Sequence, residues 1–243
     1  MKKVSTYGCS HNCFTFGGAW GHQLTEKLGV LGRNESMPGH NLGGHPEILL
    51  DNLKNDKPDI VILQLSGKNR LTTGFRHFDN KEWQFEEFPK DNSARYKDIG
   101  LYSWHSRVDD KSFGTPEIDH FNPTYPTKGI HRFMVQEIVM SKWNHHHANH
   151  LLWLFISLCK QYNTRLFVFS WFEPMSSYIL PEWRWMLDEV GYIEQSVSGE
   201  TEGYFTVNNI PAIKGDGHWD REAHDRLVEG YLMEPITKYL YEN

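Results

Sequence analysis

Ser10 lies in the run Gly8-Cys9-Ser10-His11-Asn12, where a short strand-like stretch ends and the chain turns toward a helix. A hydroxyl at the carboxyl edge of a parallel sheet sits where open α/β folds hold their ligands. The same residue types also make an ordinary turn, so the run alone decides nothing. A second run, Ser66-Gly67-Lys68-Asn69-Arg70, follows a buried strand, and an Asn amide there can donate a hydrogen bond to a developing oxyanion. It reads equally as a plain loop. Near the far end of the chain, Gly215-Asp216-Gly217-His218-Trp219 puts a carboxylate and an imidazole two residues apart just before a helix. On a turn the two can touch, the carboxylate fixing the tautomer and stabilising the imidazolium formed in proton transfer. The bland reading is a loop leading into a helix, with Asp220 as its N-cap.

Other residues offer different chemistry. In Trp143-Asn144-His145-His146-His147-Ala148-Asn149-His150, the pair His146 and His150 shares one helix face at i, i+4 spacing, enough for two metal ligands. The run lacks HExxH and any carboxylate, so solvated or core-edge histidines explain it better. Cys9, His11, Cys13 and His22 form a second metal-like group, but their spacing matches no zinc pattern. No metal and no cofactor is expected. Glu173-Pro174 follows a strand end, where the carboxylate serves either as a substrate contact or as a local cap. Trp83, Phe85, Phe88, Tyr96, Tyr102 and Trp104 offer either rings for stacking on a sugar or a small core of their own.

The elements that must position these groups follow from periodicity. Residues 3–8 read as a strand; Ala19, Trp20, Gln23, Leu24, Lys27 and Leu28 repeat at helical spacing, closed by Gly29. A loop over 32–45 leads to Pro46 at a helix N1 position and a stripe of Ile48, Leu49, Leu50 and Leu53. The continuous apolar run from Ile60 to Leu65 is a strand buried on both faces, the mark of a parallel sheet covered by helices. The pattern then dissolves over 71–128, which reads as an aromatic-rich insertion over the active-site face, longer than an ordinary connection. Helix is expected over 131–161, broken near Ser141, then a second buried strand at Leu166 to Phe169 and a helix around 182–190. An irregular stretch over 196–215 precedes a last helix from Asp220 to Tyr241, kinked at Pro235. The expected architecture is a single three-layer α/β/α domain over 1–243 with a mainly parallel, flavodoxin-like sheet.

Composition narrows the function classes. The chain of 243 residues holds one such domain comfortably. With 25 Lys+Arg against 31 Asp+Glu, the formal charge of -6 disfavours nucleic acid or an anionic membrane as partner. Three cysteines make no disulfide framework, and neither a signal-peptide core nor a run of about 20 apolar residues occurs, so a cytoplasmic location is expected.

Taken together, Ser10, a loop glycine, Asn69 and Asp216/His218 follow one another in the order of the SGNH (GDSL-like) hydrolases, which the sequence resembles from residue 4 to about 228, the 71–128 region apart. The resemblance implies a serine esterase with Ser10 as nucleophile, His218 as general base and then acid, and Asp216 orienting it. It implies an oxyanion hole from the Ser10 N–H, Gly43 (with Gly44 and Gly39 as rivals) and the Asn69 side chain. His11, Gly44, Arg70 and Trp219, which flank these blocks, and Glu173 are the expected substrate contacts. Three departures stand out: Cys9 replaces the usual Asp, Arg70 replaces a second Asp, and the acid precedes the His by two positions instead of three. Some alginate-acetylation relatives share an Asp-x-His-Trp block, which keeps an O-acyltransferase open beside the esterase, as does a non-catalytic protein on the same fold. The expected partner is a small-molecule or carbohydrate ester, with O-acetyl groups preferred.

Overall fold

The computed structural model describes residues 1–12, 19–36, 42–66, 70–76, 99–105, 117–118, 142–213 and 218–242, with backbone alone for Ser10, Gly44, 70–76, 99–105, 117–118 and 142–144. β1 (Lys3–Tyr7) leads through a 3₁₀ turn (Ser10–Asn12) to α1 (Trp20–Leu28). Gly29, at φ 62°, ends that helix in the left-handed conformation that glycine adopts without steric cost. β2 (Leu31–Asn34), a 3₁₀ turn (Leu42–Gly44), α2 (Pro46–Asn55) and β3 (Ile60–Leu65) follow. Pro46 occupies the first turn of α2, where its missing N–H costs nothing.

β4 (Arg70–Arg76), β5 (Ile99–His105) and β6 (Glu117–Ile118) come next, then α3 (Lys142–Gln161), β7 (Arg165–Ser170) and α4 (Met175–Tyr178). The chain closes with a 3₁₀ helix (Pro181–Glu189), β8 (Gly191–Tyr192), α5 (Tyr204–Val207), α6 (Arg221–Leu227), a π turn (Val228–Leu232) and α7 (Met233–Tyr241).

The main sheet is five-stranded and parallel, in the order β2-β1-β3-β7-β8. This is the doubly wound order whose direction of winding reverses between β1 and β3, so a crevice opens at the carboxyl ends of those two strands. Side chains alternate across it with period two. Val61, Leu63 and Leu65 of β3, with Leu166 and Val168 of β7, join the core under α2 and α3. Ile60 and Ile62, with Phe167 and Phe169, join the opposite core against Trp20 and Leu24 of α1 and Leu227, Leu232 and Ile236 of the C-terminal helices. Helices therefore cover both faces, as the apolar run at 60–65 requires.

The structure departs from these expectations at β2 and β8, within 71–128, around 182–190, where the helix is 3₁₀, and over 196–215, where α5 lies in the stretch expected to be irregular. β2 overlaps the start of the 32–45 span expected as loop, and β8 falls where no strand is expected; both are short edge strands, and neither carries an apolar run. The 71–128 stretch contains regular structure: β4 and β5 pair antiparallel from Arg70↔His105 to Arg76↔Ile99, with β6 added along β5. Of the helix expected over 131–161, residues 142–161 are helical and 131–141 fall outside the described residues. The disturbance expected at Pro235 in the last helix is found in the turn ahead of it, where the Met233 N–H bonds back to the Val228 carbonyl. A proline at 235 offers no N–H to the carbonyl four residues earlier, so the disturbance falls on the preceding turn.

Lys57, Asn163 and Asn209 hold positive φ among the described residues, a conformation that asparagine tolerates better than lysine. Lys57, just past α2, holds φ 50° while its N–H bonds to the Asn52 carbonyl at 2.9 Å, in a left-handed cap that favours glycine. Lys57→Gly is expected to raise stability by about 0.5–1 kcal/mol, read as a higher urea midpoint at unchanged slope.

Candidate active site

The turn carrying Ser10 is locked through its neighbours. Cys9 is fully buried, its sulfur accepting from Gln64 Nε2 at 3.1 Å, while Gln64 Oε1 accepts from Trp20 Nε1 at 3.0 Å. Gly8 permits this: a Cβ there would stand 2.6 Å from Gln64 Oε1. Asn12 is also fully buried. Its Nδ2 donates to Ser36 Oγ (2.7 Å), Asn34 Oδ1 (3.2 Å) and Thr6 Oγ1 (3.3 Å), and its Oδ1 accepts from the Gly21 N–H at the start of α1 (2.7 Å). One amide thus ties the turn to β1, to the end of β2 and to the first turn of α1. Gly21 lets α1 come this close, because a Cβ would meet Asn12 Oδ1 and Thr6 Cβ at 2.9 Å.

His11, only 5% exposed, lies flat on Trp171, with ring centroids 4.3 Å apart and planes 6° from parallel. Trp171 extends β7, its N–H bonding to the Leu65 carbonyl at 3.0 Å. The His218 ring stands 4.9 Å from that of His11, and the Trp219 ring 5.6 Å. The half-buried His218 therefore arrives beside the residue that follows Ser10, although 207 positions separate His11 from His218 in the chain. Its carbonyl accepts from the Ile213 N–H at 2.6 Å, and Trp219 packs on Phe205 at 4.9 Å while its Nε1 donates to the Ile210 carbonyl at 3.3 Å. Asp220 caps α6, accepting from the Ala223 N–H at 2.9 Å.

Gly43 sits in the 3₁₀ turn ahead of α2, with Gly44 beside it, and the backbone of β4 runs along that turn. His45, next in the chain, is buried edge-on against Tyr7 at the end of β1, with ring centroids 5.6 Å apart. Beneath it the Tyr7 hydroxyl accepts from Asn52 Nδ2 at 2.6 Å, and the same Nδ2 reaches Glu35 Oε1 at 3.2 Å. Arg33 neutralises the buried Glu35 and also pairs with Asp56. Burial, and then the Glu35 carboxylate, hold the Tyr7 phenol well above its ordinary range, so it stays neutral.

Glu173 is half-buried just past β7, its N–H donating to Ser170 Oγ at 3.4 Å. Arg70 begins β4. Asn69, Asp216, Gly39 and Cys13 lie outside the described residues, as do the rings of Trp83, Phe85, Phe88, Tyr96, Tyr102 and Trp104. On α3, His146 Nε2 stands 3.7 Å from Glu182, and His150 packs edge-on against Trp183 at 4.6 Å. No group of three or more His, Cys, Asp or Glu among the described residues is arranged to hold a metal ion, and no helix among them is long and apolar enough to cross a membrane.

Neither a family model nor a curated protein matches the sequence. Solved structures do match the fold. The psychrotrophic esterase EstA from Pseudoalteromonas sp. aligns over 100% of both chains at TM-score 0.51 and 12% identity. The acetyl xylan esterase Est2A from Butyrivibrio proteoclasticus aligns over 98% of this chain at TM-score 0.52 and 9% identity, and this chain spans 64% of its length. This is the SGNH-hydrolase fold. Within the SGNH fold the residues missed by the sequence reading are Asn12, Gln64 and Trp171. Gln64 carried a signal, being the single polar residue in an apolar strand; Asn12 and Trp171 carried none.

Another buried imidazole packs on Trp171, the stacking partner of His11. His224 is 2% exposed, stacked 6.1 Å from Trp171, and burial pushes its pKa down from 6.5 to about 4. Above pH 6.5 the folded and unfolded chains both keep it neutral. As pH falls from 6.5 toward 4, the unfolded chain takes up a proton that the folded chain refuses, and folding loses roughly 3 kcal/mol. Urea midpoints for wild type and His224→Leu between pH 7 and pH 4 check this: the wild type is expected to lose the more stability on acidification.

Proposed function

We propose that the protein is a serine esterase in which Ser10 attacks the carbonyl of a carboxylic ester. The observation that carries this reading is the meeting of two distant segments, with the His218 ring 4.9 Å from that of His11, directly after Ser10 and at the carboxyl end of β1. In the proposed reaction His218 takes the Ser10 proton as the Oγ–carbon bond forms, then returns it to the departing alkoxide as the ester C–O bond breaks. Water attacks the resulting acyl-Ser10 with His218 again as base, releasing the acid. Asp216 orients the imidazole. The Ser10 N–H, the Gly43 N–H and the Asn69 amide receive the oxyanion, and Glu173, Arg70, Gly44 and Trp219 contact the substrate. His11, 5% exposed and stacked on Trp171, is left out of the substrate contacts expected from the sequence.

A carbohydrate O-acetyl group is the preferred substrate, supported by the esterases of the same fold, an acetyl xylan esterase among them. The test is hydrolysis of p-nitrophenyl acetate and longer p-nitrophenyl esters, together with acetate release from acetylated xylo-oligosaccharides. Turnover of acetate esters above longer ones, with acetate release from the sugar, is expected. Rates for every ester equal to those of Ser10→Ala would overturn the reading.

A further inference from the structure

We propose that His11 is a positioning residue which, clamped flat on Trp171, fixes the ring of His218 relative to the Ser10 turn; this rests on the esterase reading above. Three stretches of chain meet on this one imidazole. Its own turn follows β1, Trp171 (4.3 Å) and Phe172 (5.7 Å) extend β7, and His218 (4.9 Å) and Trp219 (5.6 Å) precede α6.

Trp171 is a firm base for the stack. It is fully buried, its N–H is held by the Leu65 carbonyl, and its own carbonyl accepts from the Ser198 N–H at 2.7 Å and the Ser198 hydroxyl at 3.2 Å. Phe205 packs against it edge-on at 5.9 Å, and His224 stacks on it at 6.1 Å. His218, by contrast, lies outside helix and strand in a segment ahead of α6, where the His11 ring packs beside it at 4.9 Å. Any tilt of His11 is transmitted to it, and in the same 3₁₀ turn to the backbone of Ser10. What the position requires is a flat, rigid ring: its face lies on Trp171, and the rings of His218 and Trp219 stand tilted to it by 45° and 57°.

The substitutions His11→Leu and His11→Phe separate this role from others. Leucine fills similar space without a flat face, whereas phenylalanine keeps the ring and discards its nitrogens. With p-nitrophenyl acetate, His11→Leu is expected to lower kcat by about tenfold to 100-fold with KM within about twofold, and His11→Phe to stay within about threefold of wild type. In protein labelled with ¹³C at histidine Cε1, the His218 resonance, assigned by its loss in His218→Gln, is expected to shift and broaden in His11→Leu and to hold its place and width in His11→Phe. The proposal is overturned if His11→Phe falls as far as His11→Leu, if KM rises while kcat holds, or if neither variant disturbs the His218 resonance. Absence of Ser10-dependent hydrolysis in the wild type would sink the esterase reading instead, and the resonance comparison then decides the role of His11 by itself.

Discussion

Ser10→Ala is expected to lower kcat for p-nitrophenyl acetate by at least about 10³-fold, because the acyl-enzyme route needs an oxygen nucleophile and alanine has none. The fold should be untouched. What holds the turn comes from Cys9, His11 and Asn12, whose contacts reach Gln64, Trp171, Thr6, Asn34, Ser36 and the Gly21 N–H. Thermal denaturation of the variant should therefore overlay that of the wild type. An organophosphorus ester should add mass to the wild type and none to the variant. A variant that retains the wild-type rate, or a label that maps to another residue, would remove Ser10 from the mechanism.

His218→Ala should cost a similar factor, on the order of 10³ in kcat, since without a base the serine hydroxyl must lose its proton to water. The half-buried ring leaves a gap beside His11, and added imidazole is expected to restore part of the rate. The control is His224→Leu, which removes another histidine stacked on Trp171. Its expected effect falls on stability and its pH dependence, with kcat little changed. If His224→Leu were the inactive variant and His218→Ala the active one, the base would have been misassigned.

The fold was legible where burial writes itself into sequence. Ile60 to Leu65, Gln64 apart, and Leu166 to Phe169 are apolar because both faces of those strands meet helices, and Ile48, Leu49 and Leu53 recur at helical spacing because only one face of α2 is covered. Leu50 of the expected stripe falls outside that core. β2, with Gly32, Arg33 and Asn34 on an edge, bears no such mark. β4 and β5 pair with each other away from the main sheet, and Gly74 and Gly100 interrupt the alternation that would have betrayed them. For the proposed site, residue order pointed to Ser10 and His218. The residues that hold them act over long separations: Gln64 reaches Cys9 across 55 positions, and Trp171 reaches His11 across 160. A local window contains nothing that links such pairs. Asn12 shows the limit most clearly, since a buried amide with four partners and a loop asparagine exposed to water are spelled alike.

The antiparallel arm β4–β6 leaves the main sheet within a few residues of Leu65, at the same edge as Ser10, and its first strand runs beside the Gly43 turn. Among the described residues its three strands pair with one another and not with the main sheet, so its register is independent of that of the five parallel strands. Lengthening such an excursion is thermodynamically mild, about 0.6 kcal/mol for each doubling of a flexible loop. The part of the arm beyond β4 is therefore open to exchange: grafting or trimming it can be screened for altered ester preference while Arg70 and the strand beside the Gly43 turn are kept.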